Sequence, residues 1–345
     1  MVPNKKILYP VSSILVIFLI IAGLHLWNYY NDYKRHNFVS DTVLFVYPDM
    51  TAKDVENKLI GENSVSRPRS LKRSFKKLKV DIYIKPGRYE IRSMYSSVYL
   101  ARMLNNGWQS PGMLTVSGTV RSKGVLARKI AWQMMADSSE IIKALNDSSL
   151  LAGFGFDTTN VFSMIIPDSY RIYWTASPRD ILRTFSKGYE AFWNGDRKKS
   201  AETLGLAPLK VSILASIVCG ETRYEPEMSS IAGVYLNRLH SGMKLQADPT
   251  VAYCFGYKLD RIYGKHTKFD SPYNTYKYYG LPPGPICVPS KASLDAVLHP
   301  AKESYLYFCA SPEFNGTHIF AKSYSEHRRN ARAFQRALNE RQSSK

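Results

Sequence analysis

The sequence predicts an α+β protein with three parts: an N-terminal transmembrane helix, a small α+β module over about residues 41–115, and a mixed, mainly helical domain over 120–345. Three observations predict this. The run Ile7–Leu26 is largely apolar, and unbroken from Ile14 to Leu24. Short strand-like and helix-like stretches alternate between Thr42 and Leu104. From Ser122 onward the apolar residues recur at helical spacing, with Val211–Val218 apolar on nearly every side, as in a buried helix.

A helix needs about 20 apolar residues to span a bilayer. Lys5 and Lys6 precede the N-terminal run, and Trp27, Tyr29 and Tyr30 follow it as an interfacial aromatic belt would. Lys34 and Arg35 on the far side leave little positive-inside asymmetry. No small-residue cleavage site and no nearby cysteine follow the run, which predicts an uncleaved signal anchor: residues 1–30 form a cytoplasmic stub and transmembrane segment, and the chain beyond lies on the extracytoplasmic side of the inner membrane. The 345 residues carry 47 Lys and Arg against 28 Asp and Glu, a formal charge of +19. That balance fits nucleic acid, an anionic membrane surface or an anionic polymer. An exported domain without a nucleic-acid motif leaves the last two. Hydrophobic content of 45% excludes a disordered chain. Cys219, Cys254, Cys287 and Cys309 permit two disulfides in three connectivities, and no spacing of Cys or His suggests a metal. No cofactor is expected.

In chain order, Thr42–Tyr47 reads as a strand, and Asp49 or Thr51 caps a helix over Ala52–Ile60. Residues 66–79 are strongly basic, with Leu71, Phe75 and Leu78 on one helical face; they read either as a contact for lipid headgroups or a polyanion, or as a solvated helix with three apolar anchors. Val80–Ile84 and Tyr89–Ile91 flank the turn Lys85–Arg88 as a hairpin. Val98–Leu104 is a second helix, and Leu114–Val120 a connecting strand. Helices follow over Gly124–Asp137 and Ser138–Leu145, then the turn Pro167–Tyr170 and a helix opened by Ser177 and Pro178. Beyond Val211–Val218 a helix begins at Pro226 and ends by Gly242; residues 244–290 are irregular. A helix near Ser290–Leu298, strands at Tyr305–Cys309 and around His318 and Phe320, and a helix from Tyr324 to about Arg341 close the chain.

Leu214, Ile217, Val218 and Glu221 are spaced i, i+3, i+4, i+7 and share one helical face, which sets a carboxyl at the rim of an apolar wall. Desolvation there raises its pKa, as a general acid requires; the alternative is a helix-end carboxylate paired with Arg223 or another cation. Long irregular regions in compact domains are usually functional, and 244–290 interleaves tyrosines with Asn, Gln, Thr and Asp, a mixture suited to sugar faces and sugar hydroxyls. Asp248 and Asp270 are possible carboxylate partners of Glu221.

Residues 213–286 carry five motifs in order: Leu214–Val218 with Glu221-Thr222, Val234–Leu239, Met243–Thr250, Ser271–Tyr276 and Gly280–Ile286. His299-Pro-Ala301, Tyr305–Phe308 and His318-x-Phe320 continue the series. In this the chain resembles the membrane-anchored endolytic murein transglycosylases, the MltG/YceG-like family. The resemblance implies that the 41–115 module is LysM-like and contacts peptidoglycan, and that 120–345 is a lytic-transglycosylase-like catalytic domain. It implies cleavage of the β-1,4 bond between N-acetylmuramic acid and N-acetylglucosamine in nascent strands, leaving 1,6-anhydro ends and terminating elongation, with cell-wall synthesis proteins as partners. The family's catalytic glutamate maps onto Glu221, the last Glu of a Glu-x-Glu-Thr pattern whose first Glu is here Cys219. A further glutamate often found before the Pro-Asp-Ser-Tyr turn is absent from Val161–Ile166. Gln246, Asp248, Tyr273, Asn274, Thr275, Tyr276 and His318 are expected to line the glycan groove, His318 alternatively being a satisfied core residue. A hydrolytic muramidase with a second carboxylate, and a peptidoglycan-binding relative without catalysis, are the competing readings.

Overall fold

The computed structural model describes residues 5–343, and their side chains from Ser13 to Arg341, so Lys5, Lys6 and the start of the apolar run at Ile7 fall outside the described side chains. The chain forms two compact units, one of residues 1–112 with 171–175, the other of 113–170 with 176–345.

The first unit opens with α1 (Lys5–Tyr33), whose segment Ser13–Tyr33 is long and apolar enough to cross a membrane. From Ile14 to Leu26 nearly every large side chain of α1 is exposed, and only the last turns, at Asn31 and Asp32, are buried. Strand β1 (Thr42–Val46) leads to α2 (Ala52–Gly61), where Thr51 and Asp54 form a reciprocal capping box. Helix α3 (Pro68–Lys77) is followed by the short α4 (Val80–Tyr83), strand β2 (Gly87–Ile91) and α5 (Ser97–Asn106). The alternation at Val80–Ile84 is therefore not a strand. Lys79 adopts φ 52°, which turns the chain sharply after α3; Val80 alone is then buried, while Asp81 accepts a hydrogen bond from the Ala52 amide at 3.1 Å. The partner of β2 is instead β1, antiparallel, with Leu44 opposite Tyr89. This ribbon and α2, α3 and α5 enclose a core that includes Val55, Leu59, Leu71, Phe75, Ile91 and Leu104.

The second unit begins in β3 (Gly112–Thr115), shorter than the predicted strand, and continues through α6 (Lys123–Ala131), α7 (Ser138–Leu145) and α8 (Ser148–Ala152). Val161–Met164 is a buried 3-10 turn; the chain bends at Pro167 and Asp168, as predicted, and β4 (Ser169–Ile172) takes the second half of the predicted turn. Ser177 caps α9 (Pro178–Phe192), accepting from the Asp180 amide. Then come α10 (Gly195–Thr203), α11 (Pro208–Glu221), α12 (Glu225–His240), α13 (Asp248–Cys254), α14 (Lys291–Leu298), β5 (Tyr307–Ala310), β6 (His318–Ala321) and α15 (Tyr324–Ser343). Helix α11 is the hub: Val211–Val218 are all buried, and α10, α12, α13 and α14 pack around it. All four cysteines are thiols.

Candidate active site

Glu221 is the last residue of α11. Thr222 then turns extended (φ −142°, ψ 151°), its hydroxyl accepts from the Tyr224 amide at 3.0 Å, and Pro226 opens α12. The chain thus reverses around the carboxyl and brings α12 back past it. Tyr235, buried on α12, donates its hydroxyl to Oε1 of Glu221. The carboxyl opens onto a cavity of about 400 Å³ but is otherwise wrapped in protein, and this burial pushes its pKa up to about 7. Asp248 adds to the rise, while the Tyr235 hydroxyl and Arg238 oppose it. The negative end of the α11 dipole acts in the same direction as burial.

Asp248 stands in that cavity because α11 and α13 approach closely. A Cβ at Gly220 would lie 2.7 Å from Cβ of Pro249, so only glycine lets the end of α11 reach the start of α13. Tyr276 donates to Asp248 Oδ1 at 2.6 Å, and both line the cavity. Gln246 lines it too, from a left-handed backbone (φ 51°) that is held by its amide donating to the Thr275 carbonyl at 3.1 Å. Such a conformation is costly for a non-glycine residue and is characteristic of functional positions. His318 enters from β6: its backbone amide donates to Glu227 Oε1 at 2.8 Å, and its Nδ1 lies 3.0 Å from Oε2. Arg238 is buried, donating at 2.6 Å to the carbonyls of Leu306 and Leu245, and so ties α12 to both walls of the cavity.

Of the residues singled out in the sequence, the fold therefore brings Glu221, Gln246, Asp248, Tyr276 and His318 to one cavity. It sets the other three elsewhere. Asn274 is fully buried and donates to the carbonyls of Thr267 and Phe269 at 3.0 and 2.7 Å, holding the loop in shape. Thr275 is also buried, its hydroxyl accepting from the Ala247 amide and meeting that of Thr250 at 2.8 Å, which braces the turn carrying Gln246. Tyr273 packs on Tyr253 and lines a second cavity, of about 690 Å³, shared with Arg121 and Tyr257. Asp270 pairs with Lys277 and Tyr278 on the surface. Arg223, the alternative partner of Glu221, forms no ion pair with it among the described residues.

Sequence reading missed Tyr235, Arg238, Glu227 and His327. Tyr235 looked like an ordinary core position of α12. The Glu227–His318 contact joins residues 91 apart, and no local pattern announces it. His327 comes from α15, and its buried Nδ1 has no hydrogen-bond partner. Cys219, where the family pattern has glutamate, is not among the residues that line the cavity. It sits against the Cys287 thiol, which lowers its pKa below the usual thiol range, aided by Ser290 and Arg121 against burial; Cys287 is correspondingly raised. The 280–286 segment is bolted on by the Ile286 amide donating to the Ser216 hydroxyl at 3.0 Å. No group of three or more His, Cys, Asp or Glu able to hold a metal occurs among the described residues.

Comparison with known proteins bears directly on this arrangement. Residues 44–333 match the profile of the YceG-like family. The chain is 36% identical over 193 residues to the endolytic murein transglycosylase of Bacillus subtilis (strain 168), covering 55% of this chain and 49% of that protein. It is 34% identical over 156 residues to the endolytic murein transglycosylase of Streptococcus pneumoniae serotype 2, covering 44% of this chain and 27% of that protein. The chain thus spans about half the length, or less, of these relatives. A 2.6 Å crystal structure of a yceG-like protein from Listeria monocytogenes shares the fold, with TM-score 0.54 and 24% identity over 84% of this chain and 99% of that one. The match spans both compact units and the whole cavity around Glu221, and the chain belongs to the YceG-like family.

Proposed function

We propose that this protein is an endolytic lytic transglycosylase acting on peptidoglycan, with Glu221 as the catalytic acid and base. The observation that carries the reading is the Glu221 carboxyl, wrapped in protein and with its pKa raised to about 7, opening onto a polar cavity. Such a group is about half protonated at neutral pH and exchanges its proton readily, which one residue needs in order to serve as acid and then base. Protonated Glu221 gives its proton to the glycosidic oxygen leaving the muramoyl C1. The carboxylate then accepts the proton of the muramoyl C6 hydroxyl, whose oxygen closes on C1. The product is a 1,6-anhydromuramoyl end, no water is consumed, and Glu221 ends protonated as it began. Gln246, Asp248, Tyr276 and His318 line the groove, and Tyr235 orients the acid.

We further read α1 as a membrane anchor, with the catalytic unit outside the cytoplasm. The division into residues 1–30, 41–115 and 120–345 then corresponds to anchor, LysM-like peptidoglycan-contacting module and catalytic domain. In this setting the enzyme trims nascent strands beside the synthesis machinery. A second reading has one specific support: Asp248 shares the cavity with Glu221, and a hydrolytic muramidase would use it to activate water or form a covalent intermediate.

Mass spectrometry of purified glycan strands after incubation with the protein distinguishes these. The transglycosylase yields 1,6-anhydro ends, and Glu221→Gln loses at least about a hundredfold in rate, as expected for a group that transfers protons. Reducing ends would instead establish hydrolysis. No cleavage with binding retained would leave a glycan-binding relative.

A further inference from the structure

We propose that the basic cavity beside the end of α1 is a binding site for the phosphate of an anionic glycerophospholipid. The proposal rests on the reading of α1 as a membrane anchor. The cavity, of about 510 Å³, is lined by Trp27, Asn28 and Asn31 of α1, by Arg35, and by Arg67 and Arg69 at the start of α3. Its place along α1 fixes its depth. The exposed apolar surface runs through Leu26 and Trp27, and Tyr29 and Tyr30 follow, also exposed. Aromatic side chains at the end of an apolar span sit at headgroup level. Helix α3 is held there by Asp32, which accepts from Ser70 at 2.7 Å and from Arg73 at 2.7 and 3.2 Å.

Charge identifies the occupant. Asp32 neutralises Arg73, but Arg35, Arg67 and Arg69 have no carboxylate within ion-pairing distance among the described residues. Among the described residues, the Arg35 guanidinium donates only to the Asn31 side-chain oxygen, at 3.4 Å. Arg67 donates to the His36 carbonyl, while its Nε is buried without a partner. Burial and the neighbouring Arg35 depress the pKa of Arg67, against the opposing influence of Tyr30 and Asp32, so the two arginines crowd one another beside the cavity. Helix α3 starts at Pro68 with no side-chain cap, so its positive end faces the same side. Guanidinium forks bind phosphate oxygens in pairs, and the Trp27 wall continues onto lipid-facing surface where an acyl chain can lie. A neutral sugar would leave these charges unanswered, and a soluble polyanion would make no use of the apolar rim.

The test is native mass spectrometry of the full chain in detergent, titrated with phosphatidylglycerol or phosphatidylcholine, with insertion into nanodiscs measured in parallel. The chain is expected to retain one phosphatidylglycerol in preference to phosphatidylcholine. The double variant Arg35→Gln/Arg69→Gln, which spares Arg67 and the Arg73–Asp32 pair, is expected to weaken retention by roughly thirtyfold, each of the two arginines near a membrane surface contributing about 1 kcal/mol. The charge-matched variant Lys72→Gln/Lys76→Gln, on the same helix but outside the cavity, is expected to retain it unchanged. Equal retention of the two lipids, or equal loss in both variants, overturns the site in favour of diffuse charge. Displacement by millimolar inorganic phosphate overturns the lipid assignment. A chain that fails to enter nanodiscs overturns the anchor and this proposal together, whereas insertion without lipid preference overturns only the latter.

Discussion

A carboxyl held neutral by burial couples stability to pH, and at Glu221 the sign is fixed by geometry. Its folded pKa is raised to about 7 from an ordinary 4.5, chiefly by burial. Below about pH 4.5 the group is protonated in both states, and the fold keeps the full benefit of a neutral, hydrogen-bonded carboxyl. Between there and about pH 7 the unfolded chain ionises while the folded chain does not, so stability is lost as pH rises, by up to roughly 3 kcal/mol. Glu221→Gln cannot ionise and still accepts from Tyr235. Relative to the native chain it should gain stability between pH 5 and pH 8 by up to that amount, read as the pH dependence of the difference in denaturation midpoints. A constant difference across that range would mean that the acid is not held neutral. Under the proposed function, the same titration predicts loss of the general acid above about pH 7 in the free protein.

At the scale of elements, the site depends on helices approaching closer than side chains usually allow. Gly233 on α12 lies against the 301 segment so tightly that a Cβ there would come 2.7 Å from the Ala301 carbonyl oxygen. That contact is also where the Ala301 amide donates to the Ser229 carbonyl at 3.0 Å. Backbone cannot swing away as a flexible side chain would, so Gly233→Ala should force α12 and the following strand apart. We expect a cost of about 1–3 kcal/mol in chemical denaturation, as for other overpacked sites. Activity at permissive temperature should fall further than stability alone explains, because Tyr235, Arg238 and the 301–310 wall move relative to one another.

At the scale of the molecule, α1 is both an apolar span and a structural part of the first unit. Its apolar turns are exposed, but Asp32 near its end is buried against Ser70 and Arg73. A chain shortened to begin at Trp27 should leave the membrane fraction and keep the first unit folded. One beginning at Arg35 removes Asp32, orphans two hydrogen-bonding groups of α3, and should lower the unfolding free energy of that unit by about 2–3 kcal/mol, read from chemical denaturation. Equal stability of the two shortened chains would show that the last turns of α1 contribute nothing beyond the anchor.

Much of this was legible in the chain itself. The apolar run, the capping signals at Thr51 and Ser177, the all-round apolar stretch before Glu221 and the acid at its end are local features, set by spacing and side-chain type. The ordered motifs of 213–286 likewise identified the family and the candidate acid. The hairpin at Val80–Ile91 was misjudged for a physical reason. Period-two alternation over five residues does not say which strand will answer it, and β1 offered β2 a better-buried partner than a segment carrying an exposed Ile82. Asn274 and Thr275 look like sugar ligands in sequence because amides and hydroxyls serve loops and substrates equally well; their burial assigns them to the loop. What only the tertiary structure decided is the company Glu221 keeps. Tyr235, Asp248 and Arg238 shape its protonation through contacts made by chain reversal and by the glycine-permitted meeting of α11 and α13, and His318 and His327 reach its cavity across about a hundred residues of chain. Sequence determines which group can be an acid; burial and neighbours, which exist only once the chain is folded, determine the pH at which it acts.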